Sequence, residues 1–261
     1  MKILALLLIS ISCHADYSFF VAGHAYGHPV TRLANPDILG LYPPFMNRVH
    51  GNDFGVLTGD IVYKSNDREW SATIKDIDSL GVPVFIAAGN HDKVGPYFDK
   101  MYKSYFSFEY GGDLFIILDP NLDKWNISGD QLAFLKGVIR DYGNTFVFFH
   151  QVLWHDRVKT PVNSLSGKGD NINFWSEVFP LFRENTYLFA GDTGVQEHQQ
   201  PMIAKHQGVT LIASGMGGGV NDNYIEVTVR DTVELNTIWL QNTEIVEFKR
   251  RWLKRVQHYT Q

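Results

Sequence analysis

The chain has 261 residues, of which 44% are hydrophobic and 20% charged, and its formal net charge is -5 at pH 7. This balance is typical of a folded globular protein and excludes a chain that is disordered throughout. The negative charge argues against general affinity for nucleic acid, which needs an excess of basic residues. The length fits one large domain or two small ones, and no repeat or clear linker divides the chain.

The first fifteen residues have the features of a secretory signal peptide. Lys2 provides the positive start, residues 3–11 form a short apolar core, and small residues precede a cleavage site after Ala15. The apolar run is too short to span a bilayer, and no other transmembrane segment is predicted. We therefore expect residues 16–261 to be a single exported domain, periplasmic or secreted. The alternative is a lipoprotein anchored through Cys13, although residues 10–12 match such a signal poorly.

Short apolar runs rich in Val, Ile and Phe recur along the mature chain. Because each run is short, the pattern predicts buried strands. The predicted strands are 19–22, 54–57, 84–88, 114–118, 146–149, 187–190 and 210–213, with a strand pair in 224–240.

Helical patterns lie between these predicted strands. Trp70 to Leu80 has apolar residues at helical spacing, and Gln131 completes a capping-box pattern that begins at Ser128. A third helix is predicted over 174–183, where Pro180 interrupts it, and the basic tail 244–261 is predicted to be a terminal helix. The alternation predicts an α/β layered domain, α+β in some schemes, with sheet in the middle.

Polar residues follow the points at which the buried runs stop. In open α/β sheets, ligand sites gather at the carboxyl ends of the strands. Imidazole and carboxylate groups are common ligands of zinc, iron and manganese. One such residue could be a plain turn, but five strands each deliver a polar group, and the set indicates a metal site. The residues are His24, Asp60, Asn90, His91, Asp92, His150 and Asp192.

Three of these segments resemble the metal motifs of the calcineurin-like metallophosphoesterases. They are Gly59-Asp60, the tetrapeptide 89–92 (Gly-Asn-His-Asp), and His150 after a hydrophobic strand. The resemblance runs from about Phe19 to Gly219. It implies a four-layer α/β/β/α sandwich and a hydrolase of phosphoesters that uses metal-activated water. One or two ions of Mn, Fe or Zn and a small phosphorylated substrate are also implied.

The resemblance assigns a role to each candidate residue. One ion would be held by Asp60, Asn90, His150 and Asp192, and the other by His24 together with the bridging Asp60. His91 would be the general acid, and Asp92 would orient its imidazole.

Two motifs depart from the family pattern. The family's first motif, Asp-x-His, is matched by His24-Ala25-Tyr26, and its last, Gly-His-x-His, by residues 191–194, Gly-Asp-Thr-Gly. His24 replaces a carboxylate by an imidazole in the first motif, and Asp192 replaces an imidazole by a carboxylate in the last. Because both replacements can bind metal, they favour a rebuilt site over an inactive one. Tyr26 is either a phenolate ligand or a packing residue. His28 either supplies the missing imidazole or belongs to a turn, and His198 could also reach the site.

Two other functions remain open at this stage. One is a non-catalytic or mononuclear metal-binding module, because the second ion position has lost family residues. The other is hydrolysis of a non-phosphate substrate, because a fold does not fix a function. Substrate choice is expected to depend on the loops 29–52 and 156–173, which carry cationic residues.

Overall fold

The computed structural model describes residues 16–35, 37–160, 173–194, 200–217 and 219–240. The predicted signal peptide with Cys13, the predicted tail helix 244–261, and His198 lie outside these ranges. Among the described residues, no helix has the length and apolar character needed to cross a bilayer.

Five strands form the first sheet, in the order β11-β10-β1-β2-β3. The strands β1, β2 and β3 run parallel, while β10 is antiparallel to both β1 and β11. Their bounds are β1 Tyr17–Ala22, β2 Phe54–Thr58, β3 Val84–Ala87, β10 Asn223–Val229 and β11 Val233–Trp239. The predicted strand pair in 224–240 is therefore an antiparallel hairpin.

Six strands form the second sheet, in the order β4-β5-β6-β7-β9-β8. Its four central strands run parallel, and the two edge strands are antiparallel to their neighbours. Their bounds are β4 Phe106–Tyr110, β5 Asp113–Ile117, β6 Thr145–Phe149, β7 Thr186–Ala190, β8 Met202–His206 and β9 Val209–Ala213.

Aromatic rings fill the space between the two sheets. Phe19 and Phe54 from the first sheet stack at 5.0 Å, and Phe19 meets Phe115 of the second sheet edge-on at 5.4 Å. The cluster between the sheets consists mainly of buried side chains from the two inner faces. Two further clusters cover the outer faces, with Trp70 against the first sheet and Leu135 against the second. The predicted α/β/β/α sandwich is confirmed.

Within the described ranges, five α-helices surround the sheets. They are α1 Pro29–Ala34, α2 Pro43–Met46, α3 Asp67–Ser79, α4 Tyr97–Met101 and α5 Gly129–Val138. The start of α3 is fixed by Asn66, whose side chain accepts the Glu69 N–H at 3.0 Å.

Two further predicted helices, which begin at 128 and 174, differ in detail from the structure. Ser128 stands at the N-cap of α5, but its hydroxyl bonds to Asp123, and Gln131 binds the backbone of Asp119. The predicted capping box is therefore not formed. Segment 174–183 is a π-helix over Phe174–Val178 followed by a 3-10 turn over Phe179–Leu181, since Pro180 cannot donate a helical hydrogen bond.

Candidate metal and catalytic site

The ends of parallel strands from both sheets meet at one edge of the sandwich. The N–H of His24, after β1, donates to the carbonyl of Gly59, after β2, at 3.0 Å. From the other sheet, Nδ1 of His150 lies 2.8 Å from the carbonyl of Thr58 at the end of β2. The N–H of Asp192, after β7, donates to the His150 carbonyl at 2.9 Å. These bonds bring together polar residues that the sequence places far apart.

Asp60 lies between two imidazoles, one beside each carboxylate oxygen. Its Oδ1 is 3.4 Å from Nε2 of His150, and its Oδ2 is 3.5 Å from Nε2 of His24. All three residues are at most 2% exposed. Burial acts to raise the pKa of Asp60, but the neighbouring imidazoles, His150 first, outweigh it and hold that pKa well below its ordinary value. Asp60 is therefore an anion that faces both sides of the site.

The ring of His150 is fixed with one nitrogen directed into the site. Because the carbonyl of Thr58 can only accept, Nδ1 carries a proton and Nε2 points between Asp60 and Asp192, with Asp192 Oδ1 at 3.8 Å. Nε2 is fully buried, and among the described residues it meets these carboxylates at ion-pair distances without a hydrogen bond of good geometry. Burial would lower the pKa of His150, but the two carboxylates together raise it to about 10.

His24 faces Asp60 from the opposite side. Its Nδ1 lies 2.9 Å from the carbonyl of Gly27, so the proton of the neutral ring sits on Nδ1 and the lone pair of Nε2 faces the carboxylate. Burial lowers the pKa of His24 to about 4, although Asp60 opposes the shift. This imidazole is therefore neutral at physiological pH and available as a ligand.

The His24 ring fits only because residue 194 is a glycine. A Cβ on Gly194 would lie 2.6 Å from Cβ and Cγ of His24 and 2.3 Å from the carbonyl oxygen of Met216. Side chains at 24 and 194 therefore compete for the same space. In this structure, a side chain at 194 is therefore excluded both by His24 and by the Met216 backbone.

Two of the candidate ligands have left-handed backbone conformations. His24 has φ 56° and Asp60 has φ 52°, and Gly59 before it has φ 84°. Such a conformation is strained for a residue with a side chain, by about 1–3 kcal/mol, and strain of this kind clusters at functional sites. Gly59 also has no room for a side chain, because a Cβ there would lie 2.5 Å from Nδ1 of His150.

His91 is oriented by Tyr63 and not by Asp92. Its Nδ1 lies 2.8 Å from the carbonyl of Tyr63, and the two rings stack with centroids 5.9 Å apart. The expectation that Asp92 holds this imidazole therefore differs from the contacts in the structure. Because Nδ1 donates to a carbonyl, Nε2 is the nitrogen left to exchange a proton with a substrate.

Asp92 instead joins the loops that follow β2 and β3. Its Oδ1 accepts the N–H groups of Ile61 at 2.8 Å and Val62 at 3.1 Å, and its Oδ2 accepts that of Gly89 at 2.8 Å. The residue is fully buried. Burial and the nearby Asp60 raise its pKa to about 7, against the three backbone donors. Asp92 thus holds the loop that presents Asp60 and His91.

The remaining candidates lie around this centre in different settings. Asn90 is exposed at the mouth of the site. Tyr26 is buried, with its ring centroid 4.5 Å from that of His24 and 5.4 Å from that of His91. Burial, together with Asp60, raises the pKa of Tyr26, which favours the neutral phenol and a packing role. His28 is also buried, and its carbonyl accepts the Thr31 hydroxyl.

Comparison with protein-family models matches residues 35–215, more than half of the chain, to the description "Calcineurin-like phosphoesterase". The chain belongs to the calcineurin-like phosphoesterase family. The matched range contains six of the seven residues that the sequence places at strand ends, and His24 lies before it. A comparison with curated proteins finds no significant match.

Solved structures with similar folds include members of different size. A purple acid phosphatase, PPD1, from yellow lupin (Lupinus luteus) seeds superimposes with a TM-score of 0.62 at 12% identity, over 88% of this chain and 52% of that one. This calcineurin-like phosphoesterase therefore spans about half of the lupin protein. TT1561 of Thermus thermophilus superimposes with a TM-score of 0.49 at 10% identity, over 85% of this chain and 99% of that one. Vps29 of Entamoeba histolytica, complexed with zinc, has a TM-score of 0.32 at 8% identity, over 85% of this chain and 99% of that one.

The donor atoms of the site are compatible with the divalent metals that the family generally binds. Among the described residues, no three His, Cys, Asp or Glu side chains form a ready-made cluster. However, ligands of one ion at bond lengths of about 2.0–2.2 Å lie roughly 3–3.5 Å apart, and His150 Nε2 lies 3.4 Å from Asp60 Oδ1. The buried Nε2 of His150, directed between two carboxylates, supplies the strongest indication. Asp60, His150 and Asp192 would hold an ion here together with the predicted ligand Asn90 at the exposed edge of the site, and His24 would face a second ion.

Several other histidines lie away from this centre or outside the described residues. His206 packs edge-on against Trp175 at 5.0 Å, and His50 is exposed. His198 is not described. Tyr63 is a site residue that sequence analysis missed, although an aromatic three positions after the Gly-Asp motif was a signal that could have been weighed.

Proposed function

We propose that this protein is an exported, metal-dependent hydrolase of phosphoesters with His91 as its general acid. The family supports phosphoester hydrolysis at a general level. The single observation that carries the proposal for this chain is Nε2 of His150, buried and directed between the carboxylates of Asp60 at 3.4 Å and Asp192 at 3.8 Å. Ions held there would neutralise phosphate charge and make water a nucleophile near neutral pH.

Different side chains around the centre would bind the cation, donate the proton and bind the phosphate. Asp60 and Asp192 supply the negative charge that makes a cation favourable at the buried edge of the sheets. His91 is partly exposed, and its Nδ1 is tied to the Tyr63 carbonyl. Its Nε2–H would therefore give a proton to the leaving oxygen as the phosphoester bond breaks. Asn90, exposed beside it, would bind a phosphate oxygen through its amide NH₂.

The test is hydrolysis of a panel of phosphomonoesters and phosphodiesters by the purified protein, with metal content measured by elemental analysis. His91→Ala should lower kcat by about 10²–10⁴-fold, the usual contribution of a positioned general acid, and keep its metal. His50→Ala, at an exposed histidine away from the site, is the matched control. Loss of metal in the His91 variant, or unchanged kcat, would contradict the assigned role.

A second candidate function is a mononuclear or non-catalytic metal-binding module. The observation that favours it is that Tyr26 packs on His24 and that Gly194 has no room for a side chain, so neither position offers an imidazole there. One ion per chain and no hydrolysis of any phosphoester would support this alternative.

Export is proposed from the signal-peptide pattern of residues 1–15, and a lipid anchor at Cys13 is the alternative. Cell fractionation with mass analysis of the mature N-terminus distinguishes them, since a cleaved leader gives a chain starting at Asp16. The proposed partner is a small phosphorylated molecule and not nucleic acid, in line with the net charge of -5.

A further inference from the structure

The loop 89–92 is attached at both ends to the sheet on the other side of the sandwich. It follows β3 of the first sheet, and it carries two of the proposed functional residues. At its start, Nδ2 of Asn121 donates to the carbonyl of Ala88 at 3.0 Å. At its end, Nζ of Lys93 lies 3.3 Å from Oδ2 of Asp119. Asp119 and Asn121 belong to the turn that follows β5 of the second sheet, so both attachments cross between the sheets.

The amide of Asn121 has one orientation that satisfies its neighbours. Its Nδ2 donates both to the carbonyl of Ala88 and, at 2.8 Å, to Oδ1 of Asp119. Its Oδ1 accepts Nε2 of Gln151 at 2.7 Å. Because a carbonyl and a carboxylate can only accept, the NH₂ group must face them. Gln151 directly follows His150, so Asn121 joins the start of the loop to the segment that carries a proposed metal ligand.

Asp119 is held firmly enough to anchor the other end of the loop. The residue is fully buried, and the side chain of Gln131 binds both its backbone N–H, at 2.6 Å, and its carbonyl, at 3.1 Å. Its Oδ1 accepts the backbone N–H of Asn121 at 3.0 Å. A buried carboxylate is costly without a partner of opposite charge. The ammonium group of Lys93, a side chain that is 14% exposed, is that partner.

The proposed reaction needs groups from both sheets at a fixed separation. Asn90 and His91 lie in the loop after β3, whereas His150 and Asp192 follow strands of the second sheet. A displacement of about 1 Å between reacting groups can lower the rate by about 100-fold. The two attachments are made only two residues before Asn90 and two residues after His91. They therefore control the separation where the reaction depends on it.

We propose that Asn121 and Asp119 are positioning residues, which hold the loop 89–92 against the second sheet and so fix His91 relative to the metal ligands. The inference rests on the proposed function for the role of His91 as general acid. It adds to the site two residues from outside the segments that resemble metal motifs, and they act on the reaction through the loop.

The first experiment measures how strongly turnover depends on protonation of the leaving group. Phenol is a poorer leaving group than para-nitrophenol, so hydrolysis of phenyl phosphate depends more on the proton from His91 than hydrolysis of para-nitrophenyl phosphate. The ratio of the first kcat to the second should fall about tenfold in Asn121→Ala, as expected for a displacement of less than about 1 Å. Asn126→Ala removes a similar bond between segments, from the Asn173 N–H at 2.8 Å, and should leave the ratio unchanged.

A double variant tests whether Asn121 acts through the general acid. His91→Ala alone should lower the same ratio, and adding Asn121→Ala should lower it no further, because the group to be positioned is absent. A further tenfold fall would contradict the proposal. The other attachment is tested at Lys93, since Asp119 itself is fully buried. Lys93→Met should lower the ratio, and Lys93→Arg, which keeps a cation opposite Asp119, should restore it.

The second experiment does not depend on hydrolysis. The backbone N–H of His91 donates to Oδ1 of Asp60 at 3.1 Å, and its hydrogen exchange, followed by NMR, reports opening of the loop. Exchange should be about fivefold faster in Asn121→Ala, the effect of one ordinary hydrogen bond, and unchanged in Asn126→Ala. Faster exchange in the Asn121 variant, with no hydrolysis of any phosphoester by the parent protein, would keep the attachment of the loop and overturn the proposed function. Hydrolysis by the parent together with an unchanged ratio or unchanged exchange in Asn121→Ala would overturn the positioning role alone.

Discussion

The two sides of Asp60 each offer one imidazole, but their electrostatic settings are opposite. On one side, His150 faces Asp60 and Asp192, and its pKa rises to about 10. On the other side, His24 packs against the ring of Tyr26, and burial lowers its pKa to about 4. The same residue type thus meets a strongly negative environment on one side and a weakly negative one on the other. We infer that a cation binds more tightly on the His150 side.

The largest effect is expected from Asp60→Ala, because this carboxylate serves both sides. The variant should lose all bound metal and lower kcat/KM by on the order of a thousandfold, the several kcal/mol that metal catalysis supplies. Elemental analysis and phosphoester assays check both. Asp130→Ala, at an exposed aspartate in the first turn of α5, is the control. Retained activity in the Asp60 variant would refute the site.

The two sides are separated by comparing His150→Ala with His24→Ala. His150→Ala should lose the tighter ion and at least about 100-fold in kcat/KM, since even outer partners of a metal ligand are worth 10–100-fold. His24→Ala should keep that ion and lose any second one. Metal stoichiometry after dialysis measures the difference. If His24→Ala lost the tighter ion and His150→Ala kept it, the inference that a cation binds more tightly on the His150 side would be wrong.

A smaller change, Gly194→Ala, tests the His24 side without removing the imidazole. The added Cβ would lie 2.6 Å from His24 and must displace its ring or the Met216 backbone. We expect metal affinity on the His24 side to fall by about 10-fold, within the range for perturbing a ligand's position. Gly137→Ala is a suitable control, because nothing lies within 4 Å of the added atom there. Equal metal binding by both variants would mean that His24 is not a ligand.

A pH dependence of metal affinity is expected on the His150 side alone. Below pH 10, His150 carries a proton that a metal must displace, whereas His24 is already neutral above about pH 4. Metal affinity should therefore rise with pH, by up to about tenfold per unit between pH 6 and 8, with about one proton released per ion. Calorimetry in buffers of different ionisation enthalpy counts the protons. In His150→Ala this slope should disappear.

The layered fold and the edge that carries the site could be predicted because both depend on local signals. Buried parallel strands are short apolar runs, and the carboxyl ends of neighbouring parallel strands meet at one edge. The edge strands β4 and β8 were missed, since they are only partly buried and have mixed patterns. The short helices α1, α2 and α4 are too brief to show a period.

The fine structure of the site could not be predicted, because it depends on contacts between distant segments. The exclusion between His24 and Gly194 joins residues from opposite ends of the matched motifs, and sequence spacing gives no sign of it. Asp92 next to His91 suggested an orienting carboxylate, yet its oxygens turn inward to three backbone donors. The sequence alone does not distinguish a carboxylate that joins two loops from one that orients an imidazole.

The bond between the Thr58 carbonyl and His150 ties one sheet of the sandwich to the other at the same point where Asp60 faces His150. A cation or substrate that binds there would contact residues from both sheets at once. Unfolding must separate the sheets, and binding to the native state alone stabilises it by RT ln(1 + [L]/Kd). Binding of a cation or substrate at this site should therefore raise the Tm of the whole molecule and slow its unfolding. The same few atoms would then serve both the chemistry of the site and the stability of the fold.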